Sequence, residues 1–301
     1  MTTSPLVSVI AINFNFEKYV LEALESVKRQ DYDNIELIII DDHSTDNSVA
    51  LIQKWLASYP GACQLIVNEK NLGVCATLNK AFARARGKYI AAIATDDIWL
   101  PDKTKVQVQL MEAAAPDVCA VYSDAYLIRE DGSPRDRNFM EIRNVKGFPQ
   151  GGIFEPLLTD NFIPAMSILL KMECFRAVGQ FDEQLVYEDY DMWLRLSRRY
   201  KFLFSDYMSV KYRIKDKSLS TSIMWEVPNT KILLKHVDHH PLVLQKLRHL
   251  ILNAYRKDQK KVFEILSTSN LRDPYIRRLQ TFHRWRVPTP IGLRLLPSLP
   301  S

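Results

Sequence analysis

Pairs of neighbouring carboxylates follow two apolar stretches of this chain. Asp41 and Asp42 come directly after a run rich in isoleucine, and Asp96 and Asp97 follow a second run of isoleucine and alanine. Carboxylates held close together repel one another unless something binds them. Their oxygens are ligands that Mg²⁺ and Mn²⁺ accept, and diphosphate oxygens can complete the shell. The pairs therefore indicate a metal and diphosphate cleft, and the alternative is that they cap the helices that follow.

A third acidic cluster opens a predicted amphipathic helix. Glu188 and Asp189 lie there among the aromatic side chains of Tyr187, Tyr190 and Trp193. Acidic residues in a first helical turn are favoured by the helix dipole, so capping is again the alternative explanation. A carboxylate in a partly apolar cleft can act as a general base for a hydroxyl nucleophile. The cluster, which also includes Asp191, is therefore a candidate source of a general base.

Strands and helices alternate along the first part of the chain. The predicted strands are residues 7–12, 35–40, 63–67, 89–94 and 118–122, and the predicted helices are residues 17–30, 48–56, 73–86 and 102–114. Strands separated by helices of this length imply right-handed crossovers and a mostly parallel sheet. In such sheets ligands collect at the carboxyl ends of the strands, where both carboxylate pairs are expected. The predicted fold class is α/β, with a Rossmann-like central sheet flanked by helices.

Glycine is absent from the start of the chain, and its first occurrence is Gly61. The first strand therefore runs into Asn13, Phe14 and Asn15 rather than into a glycine-rich turn. This excludes a dinucleotide-binding G-x-G-x-x-G fingerprint at that position, and no Walker-type phosphate loop occurs elsewhere. It also disfavours a sugar nucleotidyltransferase, which has a glycine-rich loop near its amino terminus. A nucleotide bound here has to be held by side chains and a metal.

The net charge of +5 is unevenly distributed along the chain. Residues 231–301 carry fourteen Lys and Arg against four Asp and Glu, so the preceding residues are acidic overall. We predict a catalytic domain of residues 1–222 and a basic, mainly helical region of residues 223–301. The basic and aromatic run 277–296 suggests peripheral contact with anionic lipid. A nucleic-acid partner is not expected, because no recognised motif supports one.

The composition favours a cytoplasmic protein. No apolar run reaches the roughly 20 residues of a membrane span, and the amino terminus lacks a basic-then-apolar signal segment. The four cysteines have neither metal-ligand spacing nor a disulfide-framework pattern, which favours reduced thiols. Together with the basic run, these features predict a cytoplasmic location at the inner face of the cytoplasmic membrane.

Six motifs in order resemble those of family 2 glycosyltransferases, which have the GT-A fold. They are Val7–Ile10 with Asn13-Phe14-Asn15, the D-D-G-S-T-D-like Asp41–Asp46, Asn71-Leu72-Gly73 with Asn79 and Gly87–Ile90, Thr95-Asp96-Asp97, Gly179–Glu183, and Glu188–Arg195. The resemblance covers about residues 5–217. It implies an inverting, metal-dependent transfer of a sugar from a nucleotide-diphospho-sugar donor in a single in-line displacement.

The resemblance also implies a role for each matching position. Asp42 would hydrogen-bond a uracil or thymine ring, Asp96 would contact the ribose or nearby sugar, and Asp97 would ligate Mg²⁺ or Mn²⁺. Asp189 would deprotonate the acceptor hydroxyl, with Glu188 orienting it. Further contacts with the nucleotide-sugar are expected from Asn13, Phe14, Asn15, Glu17, Asn71 and Asn79.

Some positions depart from the family pattern. His43 stands where the family has glycine, and Ala94 stands where many members carry the first acidic residue of a longer metal motif. Metal binding would then rest on Asp96 and Asp97 alone.

Three functions remain open from the sequence. The first is transfer from a UDP- or dTDP-sugar to a glycan or lipid-linked saccharide, in bacterial cell-surface polysaccharide synthesis. The second is a sugar nucleotidyltransferase. The third is a non-catalytic protein that binds sugar-nucleotides or glycans, which is disfavoured because all four key aspartates are present.

Overall fold

The computed structural model describes residues 4–186, 189–215 and 225–297. By their internal contacts, the residues divide into two compact units, Met1–Ser218 and Leu219–Ser301. The predicted domain boundary at residue 222 lies outside the described residues, as does the candidate catalytic residue Glu188. The predicted limits of the two domains therefore stay a prediction.

The first unit is built on an eight-stranded sheet with helices packed against it. The strands are β1 (Val7–Asn13), β2 (Ile35–Asp41), β3 (Ala62–Val67), β4 (Tyr89–Ala94), β5 (Ile98–Trp99), β6 (Val118–Ile128), β7 (Leu169–Lys171) and β8 (Lys201–Arg213). The helices are α1 (Val20–Lys28), α2 (Ser48–Leu56), α3 (Val74–Phe82), α4 (Lys103–Ala113), α5 (Phe139–Ile142), α6 (Phe154–Thr159), α7 (Met172–Val178) and α8 (Asp189–Ser197). A 3-10 turn covers Ala165–Ser167.

The strand order is β3-β2-β1-β4-β7-β6-β8-β5. Strands β3, β2, β1 and β4 run parallel, and so do β6 and β8. Strand β7 is antiparallel to both of its neighbours, and β5 is antiparallel to β8. The predicted α/β class with a central, helix-flanked sheet is confirmed. The alternation of strands and helices in the sequence did not predict the antiparallel strands β5 and β7. With two and three residues, they are too short to show a hydrophobic pattern.

The continuous apolar runs reflect a sheet that is covered on both faces. Val9 and Ile10 of β1 are fully buried, and so are Ile38, Ile39 and Ile40 of β2. A strand buried on both sides gains stability from apolar side chains at every position, so it reads as an unbroken run rather than as an alternation. These runs bring the strand ends, and the acidic residues after them, to one edge of the sheet.

A buried polar cluster joins the amino-terminal ends of β1 and β2. The Ser8 hydroxyl donates to the Glu36 carboxylate at 2.5 Å and accepts from the Gly87 backbone N–H at 2.8 Å. Burial alone would raise the pKa of Glu36, but hydrogen bonds from Ser8 and from Arg86 outweigh it and lower the pKa. The cluster leaves no room at Gly87, where an added Cβ would lie 2.6 Å from both the Ser8 nitrogen and the Tyr89 carbonyl oxygen.

The second unit is helical and has its own core. Its helices are α9 (Glu226–His236), α10 (Pro241–Arg256), α11 (Lys260–Ser267), α12 (Pro274–Arg284) and α13 (Thr289–Leu295). Ile232, Leu247 and Ile251 are fully buried in it. The Asp273 carboxylate accepts from the Ile276 N–H at the start of α12 and pairs with Arg248 at 2.7 Å. Within the described ranges, no helix combines the length and the apolarity needed to cross a membrane.

Replacing Gly87 with alanine should destabilise the first unit. The new methyl group would press against backbone atoms that cannot rotate away, so we expect the free energy of unfolding to fall by about 2 kcal/mol or more. The matched control is Gly152→Ala, because nothing lies within 4 Å of its added Cβ. Urea unfolding followed by circular dichroism measures both variants, and the control should stay within about 0.5 kcal/mol of the parent. Equal midpoints for the two variants would contradict the tight approach at Gly87.

Candidate active site

Asn13, the last residue of β1, joins the carboxyl ends of three strands. Its side-chain amide donates to the Asp41 carboxylate at 2.6 Å and to the Ser44 hydroxyl at 3.1 Å. Its carbonyl oxygen accepts from the Thr95 hydroxyl at 2.5 Å. Asn13 is fully buried, so these bonds lie away from water. Asn13 therefore holds β1, β2 and the segment after β4 together, and the nucleotide contact expected of it stays a prediction.

The segment after β1 forms a surface with the loop after β2. The Asn15 side chain accepts from the Thr45 N–H at 2.8 Å, and the Glu17 carboxylate accepts from the Asn47 N–H at 2.9 Å. Phe14, which directly precedes Asn15, is 41% exposed. An exposed aromatic face beside polar loops suits stacking against a planar ring. Roles for Asn15, Glu17 and Phe14 in donor binding stay predictions.

Asp42 organises the loop that opens α3. One carboxylate oxygen accepts from the Asn68 amide at 2.9 Å and from the Leu72 N–H at 2.8 Å, and the other accepts from the Gly73 N–H at 2.9 Å. The Asn71 side chain also accepts from the Gly73 N–H, at 3.1 Å. Asp42 is only 3% exposed. The hydrogen bond from Asp42 to a nucleobase stays a prediction. The carboxylate would make that bond in addition to the three hydrogen bonds that it accepts within the protein.

His43 has a left-handed backbone conformation, with a φ of 65°. A side chain in this region costs about 1 kcal/mol or more relative to glycine, which explains why the resembling motif has glycine at this position. The ring nitrogen Nδ1 lies 3.3 Å from the Asn68 carbonyl oxygen, and the side chain is exposed. The turn therefore keeps a geometry suited to glycine despite the larger residue.

Asp97 presents a buried oxygen without a partner. Its Oδ1 accepts from the Arg213 N–H at 2.9 Å, while its Oδ2 has no hydrogen-bond partner in the described part of the chain. Burial, and then the charge of Asp96, raise the pKa of Asp97 well above its usual range. Asp96 itself pairs with the Lys215 ammonium at 2.5 Å. An unpartnered buried carboxylate oxygen fits a divalent cation, whose charge would offset the unfavourable burial.

The remaining ligands of such a cation would have to come largely from elsewhere. The described residues contain no group of three or more His, Cys, Asp or Glu side chains arranged to hold a metal. Mg²⁺ is commonly bound by one or two carboxylates together with substrate phosphates and water. The donor set of this chain therefore matches a metal that arrives with a diphosphate.

Arg213 holds the Asp96–Asp97 segment in place, and the sequence analysis did not identify it. Its Nε donates to the Asp96 carbonyl oxygen at 2.8 Å, and its Nη2 pairs with the Glu22 carboxylate at 2.6 Å. Its guanidinium also lies over the Tyr19 ring at 4.5 Å. These partners lie far from Arg213 in sequence, so no local motif signals the residue.

Asp189 opens α8 and is held by a second residue that the sequence analysis missed. The Asn161 amide donates to Asp189 Oδ2 at 3.0 Å. Burial raises the pKa of the Asp189 carboxyl, while hydrogen bonds from Asn161 and from the Tyr190 N–H and the charge of Arg143 act in the opposite direction. A carboxylate whose pKa is moved towards neutrality is suited to accept a proton. Asp189 therefore has the electrostatics expected of a general base.

Arg195 fixes the loop that precedes α8. Its Nε pairs with the buried Asp191 carboxylate at 2.9 Å. Its Nη1 donates to the carbonyl oxygens of Val178 and Gly179 at 2.7 and 2.9 Å, and its Nη2 donates to that of Gln180 at 2.9 Å. The planar guanidinium thus satisfies the end of α7 and the start of the Gly179–Glu183 motif together.

Asn79 holds the same loop from the other side. Its amide nitrogen donates to the Phe181 carbonyl oxygen and to the Glu183 carboxylate, both at 3.0 Å, and its oxygen accepts from the Phe181 N–H at 2.9 Å. Asn79 is 5% exposed. In this structure it is a positioning residue for the loop, and the nucleotide contact expected of it stays a prediction.

Replacing Arg195 with lysine should destabilise this region despite keeping the charge. An ammonium cannot reach the Asp191 carboxylate and three carbonyl oxygens together, so we expect a loss of about 2 kcal/mol in the free energy of unfolding. Arg199→Lys is the matched control, since Arg199 is exposed and its side chain donates one hydrogen bond within the described residues, to the Ala177 carbonyl oxygen. Thermal unfolding of both variants checks the difference. A parent-like midpoint for the Arg195 variant would show that the loop does not depend on the guanidinium.

Comparison with known proteins adds an independent observation. The sequence profile described as Glycosyl transferase family 2 matches residues 8–176. An uncharacterized glycosyltransferase of Methanocaldococcus jannaschii is 33% identical over 222 residues, which cover 71% of this chain and 72% of the relative. The putative teichuronic acid biosynthesis glycosyltransferase TuaG of Bacillus subtilis is 27% identical over 220 residues, covering 72% of this chain and 82% of TuaG.

A solved structure shares the fold. The mannosyltransferase PcManGT from Pyrobaculum calidifontis, determined in complex with GDP-Man and Mn²⁺, has a TM-score of 0.63 at 17% identity. The match covers 98% of this chain and 88% of that one. At this identity the likeness concerns the fold, and it agrees with the GT-A architecture predicted from the motifs.

Proposed function

Since the chain belongs to glycosyl transferase family 2, we propose that it is an inverting, metal-dependent glycosyltransferase. Its donor is a UDP- or dTDP-sugar, and its acceptor is a hydroxyl of a glycan or of a lipid-linked saccharide. The observation that carries the proposal is the buried, unpartnered Oδ2 of Asp97 after β4. In the resembling family this position serves the metal that binds the donor diphosphate, and the structure of PcManGT was determined with both GDP-Man and Mn²⁺.

The proposed chemistry needs one group for the leaving diphosphate and one for the nucleophile. Mg²⁺ or Mn²⁺ bound by Asp97 would stabilise the negative charge that develops on the diphosphate. Asp96 would contact the ribose or nearby sugar, and Asp42 and Phe14 would contact the base.

Asp189 is the proposed general base. Its carboxylate takes the proton of the acceptor hydroxyl while that oxygen bonds to the anomeric carbon. The bond from the anomeric carbon to the diphosphate oxygen breaks in the same step, and its electron pair leaves with the nucleoside diphosphate. Attack opposite the leaving group inverts the anomeric configuration. Glu188, outside the described residues, is proposed to orient Asp189.

The proposed setting is bacterial cell-surface polysaccharide synthesis in the cytoplasm, at the inner face of the cytoplasmic membrane. TuaG, which this chain matches over most of both lengths, is named as a putative teichuronic acid biosynthesis glycosyltransferase. A lipid-linked saccharide is a natural acceptor at such a surface. The basic C-terminal region would contact anionic lipid there, and no nucleic-acid partner is proposed.

Two aspartate variants should separate donor binding from catalysis. We expect Asp97→Ala to lose Mn²⁺-dependent thermal stabilisation by the donor, measured over a panel of UDP-, dTDP- and GDP-sugars. Asp189→Asn should keep that stabilisation while the release of nucleoside diphosphate falls about 10²- to 10⁴-fold, because a general base is lost. Asp117→Asn is the matched control, since this carboxylate is exposed and pairs with the Lys201 ammonium at 2.8 Å.

The same assay tests the alternative enzyme class. A sugar nucleotidyltransferase would release diphosphate from a nucleoside triphosphate, whereas the proposed enzyme releases a nucleoside diphosphate from its donor. Unchanged turnover in Asp189→Asn, or unchanged metal-dependent binding in Asp97→Ala, would refute the corresponding half of the mechanism.

The pH dependence of turnover should report on Asn161. Its amide stabilises the charged form of Asp189, so removing it raises the pKa of the base further. A base must be deprotonated to act, and therefore Asn161→Ala should move the acidic limb of the pH–rate profile to higher pH. Asn161→Asp should move it further, because a second carboxylate repels the first. An acidic limb that stays in place in both variants would contradict the role of Asn161, whatever happens to the maximal rate.

A further inference from the structure

A groove between α11 and α12 of the second unit is rich in basic side chains. Its lining includes Lys260, Arg277 and Arg284 together with the carboxylate of Glu264, and its volume is about 630 Å³. This volume lies within the range of small-molecule sites. The lining also includes the stacked rings of Phe263 and His283, whose centroids are 4.1 Å apart. The groove therefore combines aromatic and cationic side chains.

The lining of the groove has an excess of positive charge, with three cations against the single carboxylate of Glu264. Across residues 225–297 and the other described ranges, no ion pair involves Lys260, Arg277 or Arg284. By contrast, Arg248 of the same unit is only 15% exposed, and it forms an ion pair with Asp273 at 2.7 Å. Clustered positive charges without carboxylate partners attract an anion from outside the protein.

Large apolar side chains stand exposed close to the groove in sequence. Trp285, which follows Arg284 directly, is 76% exposed. Ile291 and Leu295 of α13 are 53% and 52% exposed, and their spacing of four residues places them on one face of the helix. Arg286 and Arg294 add charge to this segment. Tryptophan with basic neighbours is typical of protein segments that sit at the interface of a membrane.

We propose that the groove of α11 and α12 and the segment from Trp285 to Leu295 together bind an anionic phospholipid membrane. The groove takes the phosphate of a lipid headgroup, and Trp285, Ile291 and Leu295 enter the interfacial layer. The aliphatic pair favours lipid over nucleic acid, because isoleucine and leucine offer no ring for a base to stack on. The inference gives a structural basis to the membrane contact of the proposed function and rests on that function only for its biological purpose.

Vesicle sedimentation with the full chain tests the proposal. We expect binding to phosphatidylglycerol vesicles that weakens with salt, and little binding to phosphatidylcholine vesicles. The double variant R277Q/R284Q should bind phosphatidylglycerol about 25-fold more weakly, at about fivefold for each removed charge. Its matched control is K54Q/R84Q, which removes two exposed charges from the first unit.

The apolar part of the surface needs a separate variant. Trp285→Ser should weaken binding to phosphatidylglycerol about tenfold or more, because the indole no longer enters the interface. Phe148→Ser is its control, since Phe148 is 57% exposed and lies in the first unit. Equal thermal midpoints for all variants would show that the lost binding is not due to unfolding.

Three results would overturn the proposal. The first is parent-like binding of R277Q/R284Q to phosphatidylglycerol vesicles. The second is arginine-dependent binding of free glycerol phosphate by a chain that ignores vesicles, which would assign the groove to a small phosphate ligand. The third is arginine-dependent retention of an oligonucleotide without vesicle binding. Donor hydrolysis can be measured without vesicles, so the two proposals fail separately. An active enzyme that does not bind vesicles refutes this inference alone. An inactive protein that binds vesicles refutes only the proposed function.

Discussion

The buried side chain of Asn13 is the contact on which the rest of the site depends. It bonds to Asp41 at the end of β2 and to Thr95 beyond the end of β4. A parallel sheet brings its strand ends to one edge, and backbone hydrogen bonds continue one residue further, from the Asp42 N–H to Asn13 and from the Thr95 N–H to Ile12. The fully buried Asn13 amide, whose donors and acceptor are satisfied, adds side-chain hydrogen bonds from β1 to both of these segments. These bonds tie the loops that carry Asp42 and Asp97 to one residue.

Much of the polar chemistry at this edge supports other residues. Asp42 holds the Asn71–Gly73 segment, Asn79 and Arg195 hold the loop before α8, and Arg213 holds the segment of Asp96 and Asp97. Buried polar groups are expensive unless every donor and acceptor is matched, so such networks tend to be complete and rigid. Several residues of the family motifs therefore position loops in this structure. Interpreting every motif residue as a ligand contact would miss this role.

Asp97 and Asp189 illustrate how one residue type acquires two tasks. Burial raises the pKa of both carboxyl groups. Asp97 is left with an unpartnered oxygen, which suits a cation, whereas Asp189 receives an amide hydrogen bond that orients it, which suits a proton acceptor. The difference lies in the neighbours, since the two side chains are chemically identical. Carboxyl groups whose pKa is shifted by burial are a common mark of functional sites.

The amino-acid sequence by itself determined the strand–helix alternation of the first unit, the family, and the positions of Asp96, Asp97 and Asp189. These depend on local apolar runs and on short motifs, which a linear pattern preserves. The tertiary structure alone identified Asn161 and Arg213, because their partners lie 28 or more residues away. It also decided that Asn79 holds a loop and that His43 adopts a conformation suited to glycine. Hydrogen bonds between distant segments form only when the whole sheet is assembled, so no local pattern encodes them.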